Sequence, residues 1–419
     1  MKKTTKIIVG LAVFLMTLTL SAQDIDYNDI SFDYIQLPMK PLQDKTIKNS
    51  RSKVVLKYMD DINAAKGSYQ DRVKQAEEDY QKAMEFYYVQ QKMADDQYNK
   101  EMDEWNKKSL AEKILLGDKN KPQKKYISQP YKQMPVEQKY QKSFDTEMLA
   151  SKYFKLEGFN NAPGGLSITV KLLGFDSQDP ELVTSTVSTT NAQKQQITLT
   201  KYKYNIKYKH PMGYAVDLNG NMLYEDFPIE TTNYSSVITQ EFDNQSALQS
   251  WWNGAKEGFL NNLQEKIVND NCQRLGTIIN NNYGYRKITH KTELMIVDEK
   301  ENYNDIKDAY AAALAGYNAL SGDMTKSAAI PNIRKAIDLW ESAMKESNPE
   351  SKKARIDRNV TKVLLVNLQQ AYMWVDEYEK SQACFDKLMA MDPDKDNRKR
   401  AEAIRNMAAD MKERWNANK

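Results

Sequence analysis

Tyr214-Ala215-Val216-Asp217-Leu218-Asn219-Gly220-Asn221-Met222-Leu223-Tyr224 sets two apolar-rich segments around an Asn-Gly pair. Tyr214, Val216 and Leu218 share one strand face. Asn219-Gly220 suits a type I′ turn, because both residues tolerate positive φ. The stretch therefore predicts an antiparallel hairpin, and with it a sheet-based body. Strand signals continue outward from it. Upstream, Leu166, Ile168, Val170 and Leu172 alternate before Gly174-Phe175. Ile197, Leu199, Tyr202, Tyr204, Ile206 and Tyr208 mark a longer strand with one slip in its alternation. Downstream, residues 235–242 are a further strand candidate. A helix over about 246–280 follows, with Trp252, Ala255, Phe259, Leu263 and Ile267 on one face. The stripe then drifts to Val268, Cys272, Leu275 and Ile279. Asn280-Asn281-Asn282-Tyr283-Gly284 is expected to stop the helix in a left-handed turn. Residues 287–297 are the last strand, expected to close the sheet. The predicted class is α+β: an antiparallel-sheet body over 161–300 with covering helices. A weak echo, helix then glycine-aromatic then strand, links 145–175 to 246–297 and raises a duplicated unit as one reading.

N-terminal to this body, residues 23–160 form a different region. Residues 23–60 are extended, with Pro38 and Pro41 excluding a continuous helix. Val54, Leu56 and Tyr58 share a strand face. From about 62 to 112 the chain predicts one long helical arm. Tyr69, Val73, Ala76, Tyr80, Ala83 and Tyr87 recur at spacings of four and three, and Ala94, Tyr98, Met102 and Trp105 resume the stripe. Such an arm either packs on its own chain or projects toward a partner. Residues 117–143, with Pro122, Pro130 and Pro135 among Lys, Gln and Tyr, form a linker.

The first 22 residues carry an export pattern. Lys2, Lys3 and Lys6 precede an uncharged apolar run from Ile7 to Leu20, and Ser21-Ala22 offers a small-residue cleavage site. The run is short for a spanning helix, although an uncleaved anchor is the alternative. No cysteine follows it, which disfavours a lipid anchor, and no later segment is apolar enough to span a bilayer. Removing these residues takes three lysines from the 60 basic residues and leaves 57 against 57 acidic, a net charge of zero. A neutral chain has no bulk attraction to nucleic acid, so no nucleic-acid partner is expected.

From about 301 to 419 the chain turns all-helical. Leu365–Pro393 reads LVNLQQAYMWVDEYEKSQACFDKLMAMDP. This resembles a tetratricopeptide repeat, a helix-turn-helix unit of about 34 residues. Leu365 stands at the large aromatic position, Leu368 at the leucine position and Tyr372 at the tyrosine position. Tyr378 opens the second helix, Phe385 fills its aromatic position and Pro393 closes the unit. Gln369 replaces the usual glycine, and Ser381 and Leu388 the usual alanines. Ala336, Trp340 and Ala343 repeat the small-aromatic-small spacing in a poorer copy. Its first helix would span about 303–320, with Tyr310, Leu314 and Tyr317 on one face. A charged helix over about 395–416, with Ala401, Ile404, Met407 and Met411, reads as a cap. Two repeats fall short of the roughly three that usually stand alone. The resemblance implies a concave surface that docks a peptide or protein, with Asn367, Gln370 and Ala371 in the groove.

Chemistry is sparse. His210 and His290 lie in predicted strands outside any metal-spacing pattern, and no phosphate loop or nucleophile elbow appears. Asp392, Asp394 and Asp396 hint at calcium, but Asn397 and Ala403 stand where a calcium loop needs Gly and Glu; a helix N-cap is the better reading. Cys272 and Cys384 fall in different predicted domains, and their pairing is open. No cofactor or metal is expected. The composition, 28% charged and with 25 tyrosines, suits wet interfaces. The sequence thus predicts an exported, non-catalytic scaffold or adaptor of the bacterial cell envelope. It would dock a protein or peptide, in the periplasm, in an outer-membrane complex or in the medium. A glycan or small-ligand binding module, through strand tyrosines or Trp251, is the second expectation, and an envelope hydrolase the third.

Overall fold

A computed structural model describes residues 25–63, 68–109, 112, 121–135, 141–192, 194–297 and 303–419. The export pattern at 1–22 and parts of the linker lie outside them. In chain order the elements begin with β1 (Ile25–Gln36), β2 (Asn49–Leu56), α1 (Lys57–Asn63), α2 (Tyr69–Lys107) and α3 (Thr146–Tyr153). Strands β3 (Asn160–Asn161), β4 (Leu166–Leu172), β5 (Asp176–Ser177), β6 (Glu181–Thr190), β7 (Gln196–Lys209), β8 (Met212–Leu218) and β9 (Asn221–Asp226) follow. Then come α4 (Ile229–Thr232), β10 (Ser235–Ile238), α5 (Gln245–Tyr283) and β11 (Arg286–Val297). The chain ends with α6 (Asn304–Asn318), α7 (Ile330–Met344), α8 (Arg358–Trp374), α9 (Tyr378–Ala390) and α10 (Lys395–Ala417). Two compact units result. One is Leu37–Arg286; the other joins the described residues before Leu37, Ile25–Gln36, with Lys287–Ala417. These units cut across the segments 23–160, 161–300 and 301–419 drawn from composition.

The Leu37–Arg286 unit is an α+β body with open sheets. Its hairpin forms as the Asn-Gly pair dictates: Asn219 has φ 53° and Gly220 φ 88°, and the Gly220 N–H donates to Asp217 Oδ1 at 2.8 Å. The main sheet is not purely antiparallel as expected. Its order is β3-β2-β4-β8-β9, with β2 parallel to β4 from Ser50/Leu166 to Leu56/Leu172. Parallel neighbours need a long crossover, and here it holds α1, α2 and α3. A second sheet centres on β7, with β10 along one edge and β5 and β6 one after the other along the opposite edge.

Helix α5 covers both sheets, which explains its drifting stripe. Trp252, Leu260, Leu263 and Ile267 pack with Phe175, Ile206 and Tyr208. Val268, Cys272, Leu275 and Ile279 pack with Ile168, Val170, Tyr214 and Val216. Its end corrects the expected left-handed stop. Gly284 has φ −85°, and glycine is needed there because a Cβ would lie 2.5 Å from Asn280 Oδ1. The slip in β7 has a plain cause: Tyr204 and Ile206 pack with the α5 core, whereas Leu199 near the hairpin tip is 40% exposed, so nothing fixes a buried face there.

The 39-residue α2 starts with a capping box, Ser68 accepting from the Asp71 N–H and Asp71 from the Ser68 N–H. Its aromatic stripe is half-buried. Residues 121–135 return along it: Lys124 pairs with Asp95 at 2.6 Å, Lys132 pairs with Glu77, and Lys132 sits 5.9 Å over the Tyr80 ring. The same segment ties α2 to the body, since Ser128 donates to the Glu225 carbonyl at 2.9 Å and Tyr131 stacks on Phe227 at 4.6 Å.

The other unit is a bundle of five helices, α6 to α10, with a two-stranded ribbon of β1 and β11. β11 therefore does not close the body's sheet as expected; it pairs with β1. The duplicated unit fails for the same reason, since β4 and β11 belong to unlike sheets in different units.

Candidate functional site

Helix α8 organises the helical unit. Asp357 caps it, accepting from the Asn359 and Val360 N–H groups at 2.8 and 3.0 Å. Every residue from Val363 to Trp374 is buried, which requires neighbours on all sides. The residues that depart from the repeat pattern have work there. Gln369 donates through Nε2 to the Ala401 carbonyl of α10 at 2.9 Å. Ser381 on α9 donates to the Gln369 carbonyl at 2.8 Å. Leu388 is fully buried.

The repeat-position residues all enter packing. Leu365, Leu368, Ala336, Trp340 and Ala343 are buried in one core, and Pro393 is buried as well. Tyr372 donates to Glu341 on α7. Tyr378 donates to Asp376 at 2.7 Å and meets Trp415 edge-on at 6.0 Å. Phe385 lies under the Arg405 guanidinium at 4.8 Å. Asp394 accepts from the Asn397 N–H at 2.9 Å and so caps α10.

The groove expected at Asn367, Gln370 and Ala371 is not open; all three are buried. The chain's own ribbon meets it at Asn367. Asn367 Oδ1 accepts the Met295 N–H at 3.2 Å, and its Nδ2 donates to the Met295 carbonyl at 2.7 Å. One side chain thus satisfies both backbone groups of a β11 residue. Around this clamp, Phe32 stacks on Tyr317 at 5.1 Å. Phe32, Tyr34 and His290 meet Trp374 edge-on at 5.3, 4.9 and 5.6 Å. Burial lowers the His290 pKa from its ordinary value.

Beside the ribbon a cleft of about 750 Å³ remains, within this unit. Ile30, Val366, Met373, Ile404 and Met407 line its apolar floor, and Asp29, Lys291, Glu293, Asp396, Lys399 and Arg400 its charged rim. On α10 the lining residues 396, 399, 400, 403 and 407 fall on one helical stripe. Arg400 pairs with Glu293 and covers the Tyr27 ring at 4.5 Å. An apolar floor within a charged rim is the anatomy of a protein-binding surface.

The body holds a second hollow, of about 570 Å³, lined among others by Tyr69, Tyr131, Tyr234, Trp252, Asp176 and Lys209. Tyr234 donates to Asp176, and Lys209 lies 3.7 Å from Asp176 and 4.4 Å over the Tyr234 ring. Burial, reinforced by Asp176, pushes the Tyr234 hydroxyl up to about 12. Trp251 is elsewhere, packed on Phe242 and Phe259.

No family model, curated protein or solved structure matches this chain. Its placement rests on its own geometry. His210 is fully buried, edge-on to Tyr58 at 5.6 Å, and burial holds its pKa down to about 3; it is a core residue. Cys272 and Cys384 are free and buried, which answers the question of their pairing. Among the described residues no helix is long and apolar enough to cross a membrane, and no cluster of three or more His, Cys, Asp or Glu could hold a metal.

Proposed function

We propose that this chain is an exported, non-catalytic scaffold of the bacterial cell envelope, whose tetratricopeptide-like helical unit holds a segment of a protein partner. The cleft beside the ribbon carries this reading. Its floor offers apolar area for anchoring side chains, and its rim offers charges of both signs for register. The groove that the repeat resemblance assigns to a partner is buried, with Asn367 bonded to Met295 of β11, so the docking surface we propose is the α10 face. The basic, apolar, small-residue pattern at 1–22 supports export. A photo-reactive phenylalanine analogue at Ala403, an exposed residue of the cleft, tests the reading in intact cells. Illumination should give one adduct of discrete mass in the envelope fraction; a cytosolic chain without adduct would refute it.

The aromatic hollow of the body favours a second reading, a glycan or small-ligand site. Tyr131 and Tyr234 with Asp176 offer ring faces and polar groups to a sugar. A glycan panel that shifts the melting temperature of the chain, and leaves Tyr234→Ala unshifted, would support it.

A further inference from the structure

The hairpin of β6 and β7 presents an edge that no strand covers among the described residues; along it, Ser185 Oγ donates to Glu241 Oε1 at 3.2 Å, a carboxylate already paired with Lys203. β6 pairs with β7 over all ten of its residues, from Glu181/Asn205 to Thr190/Gln196. On its other side it has no strand among the described residues. Natural edges are blunted by charge, proline or a bulge. Leu182–Thr190 reads LVTSTVSTT, with no charge, proline or glycine, and its pairing with β7 runs without a register shift. Leu182 and Val187 on β6 are 43% and 41% exposed. The far half of the hairpin is also thinly supported. β10 joins β7 only at Asn205–Tyr208, and Phe242 bridges Tyr202. Beyond Tyr202 no third strand joins these two among the described residues, an arrangement of marginal stability in water.

We propose that β6 pairs, antiparallel and two-fold about Ser185, with β6 of a second copy of this chain. The edge is complementary to itself in that register. Val183 then faces Val187 of the other copy and Thr184 faces Thr186, each pair occurring twice. β-Branched side chains pack well against cross-strand neighbours, and Thr–Thr pairs can hydrogen-bond across strands. The sole charge on the strand, Glu181, falls opposite Thr189, and the two Glu181 side chains stand roughly 27 Å apart along the strands. Each stays beside its own Lys207, 2.8 Å away. Centring on Thr186 instead would set Val183 against Thr189 and Val187 against Ser185, and both apolar pairs would be lost. A pair of strands alone buries less than the roughly 1,200 Å² of a stable interface, so the dimer is weak and concentration-dependent.

Sedimentation velocity of the full mature chain over roughly 1–200 μM should show mass moving from monomer to dimer, and Val187→Lys should hold it monomeric. Ser185→Cys should link two copies under mild oxidation, since both native thiols are buried. Thr190→Cys should not, because those positions lie roughly 34 Å apart in the pair. A chain that stays monomeric throughout, as it would if β6 served another protein's strand, overturns the proposal. So does equal linking at 185 and 190.

Discussion

Asn367→Leu tests the clamp that closes the helical unit. Leucine keeps the approximate shape of asparagine but supplies neither hydrogen bond. The Met295 N–H and carbonyl, now 3.2 and 2.7 Å from the Asn367 amide, would lose their partners in a site where Met295 and Asn367 are both fully buried. An unsatisfied buried group costs about 1–3 kcal/mol, so two cost about 2–6 kcal/mol, and relief of the asparagine's own desolvation brings the net to about 1–4 kcal/mol. Asn367→Asp should be worse, because it retains the acceptor and sets a carboxylate against the Met295 carbonyl. Urea unfolding followed by circular dichroism measures the loss, and hydrogen exchange of peptides covering β11 locates it. A loss under about 0.5 kcal/mol with unchanged β11 protection would refute the clamp.

Three further outcomes follow from the body and the cores. His210 titrates at about 3 in the fold against about 6.5 unfolded, so between these values the unfolded chain binds the extra proton and stability falls as pH falls. Its share is about 2 kcal/mol between pH 7 and 5, and His210→Leu should remove that slope from urea midpoints measured against pH. Gly220→Ala meets no atom within 4 Å of the new Cβ, so backbone strain at φ 88° alone should cost about 1–2 kcal/mol, read as a lower melting temperature. Burial raises the thiols of Cys272 and Cys384 to about 12 and about 11, so a thiol reagent at neutral pH should modify neither until denaturant exposes both.

What the sequence revealed was what local chemistry decides. Asn219-Gly220 fixes its own turn, and the 3.6-residue stripe of α5 shows even where the helix passes from one sheet to the next. What stayed hidden depends on partners far along the chain. β2 reaches β4 across more than a hundred residues, so its parallel pairing leaves no local trace. Residues 121–135 lack periodicity, and they cover α2 through two lysine–carboxylate pairs that composition does not rank above dozens of others. Asn367, Gln370 and Ala371 share one side of a helix, as their spacing implies, but all three are buried, and Asn367 binds a strand 72 positions away. Gln369 and Ser381 looked like defects in a repeat; each makes a hydrogen bond between helices.

The affinity of the protein captured at Ala403, measured by titration against the purified chain and against Ala403→Arg, bears most directly on the docking cleft. Arginine on this exposed position of α10 should leave the melting temperature unchanged and weaken binding at least about tenfold, or about 1.4 kcal/mol. Equal affinity for the two chains would place the partner elsewhere and contradict the account.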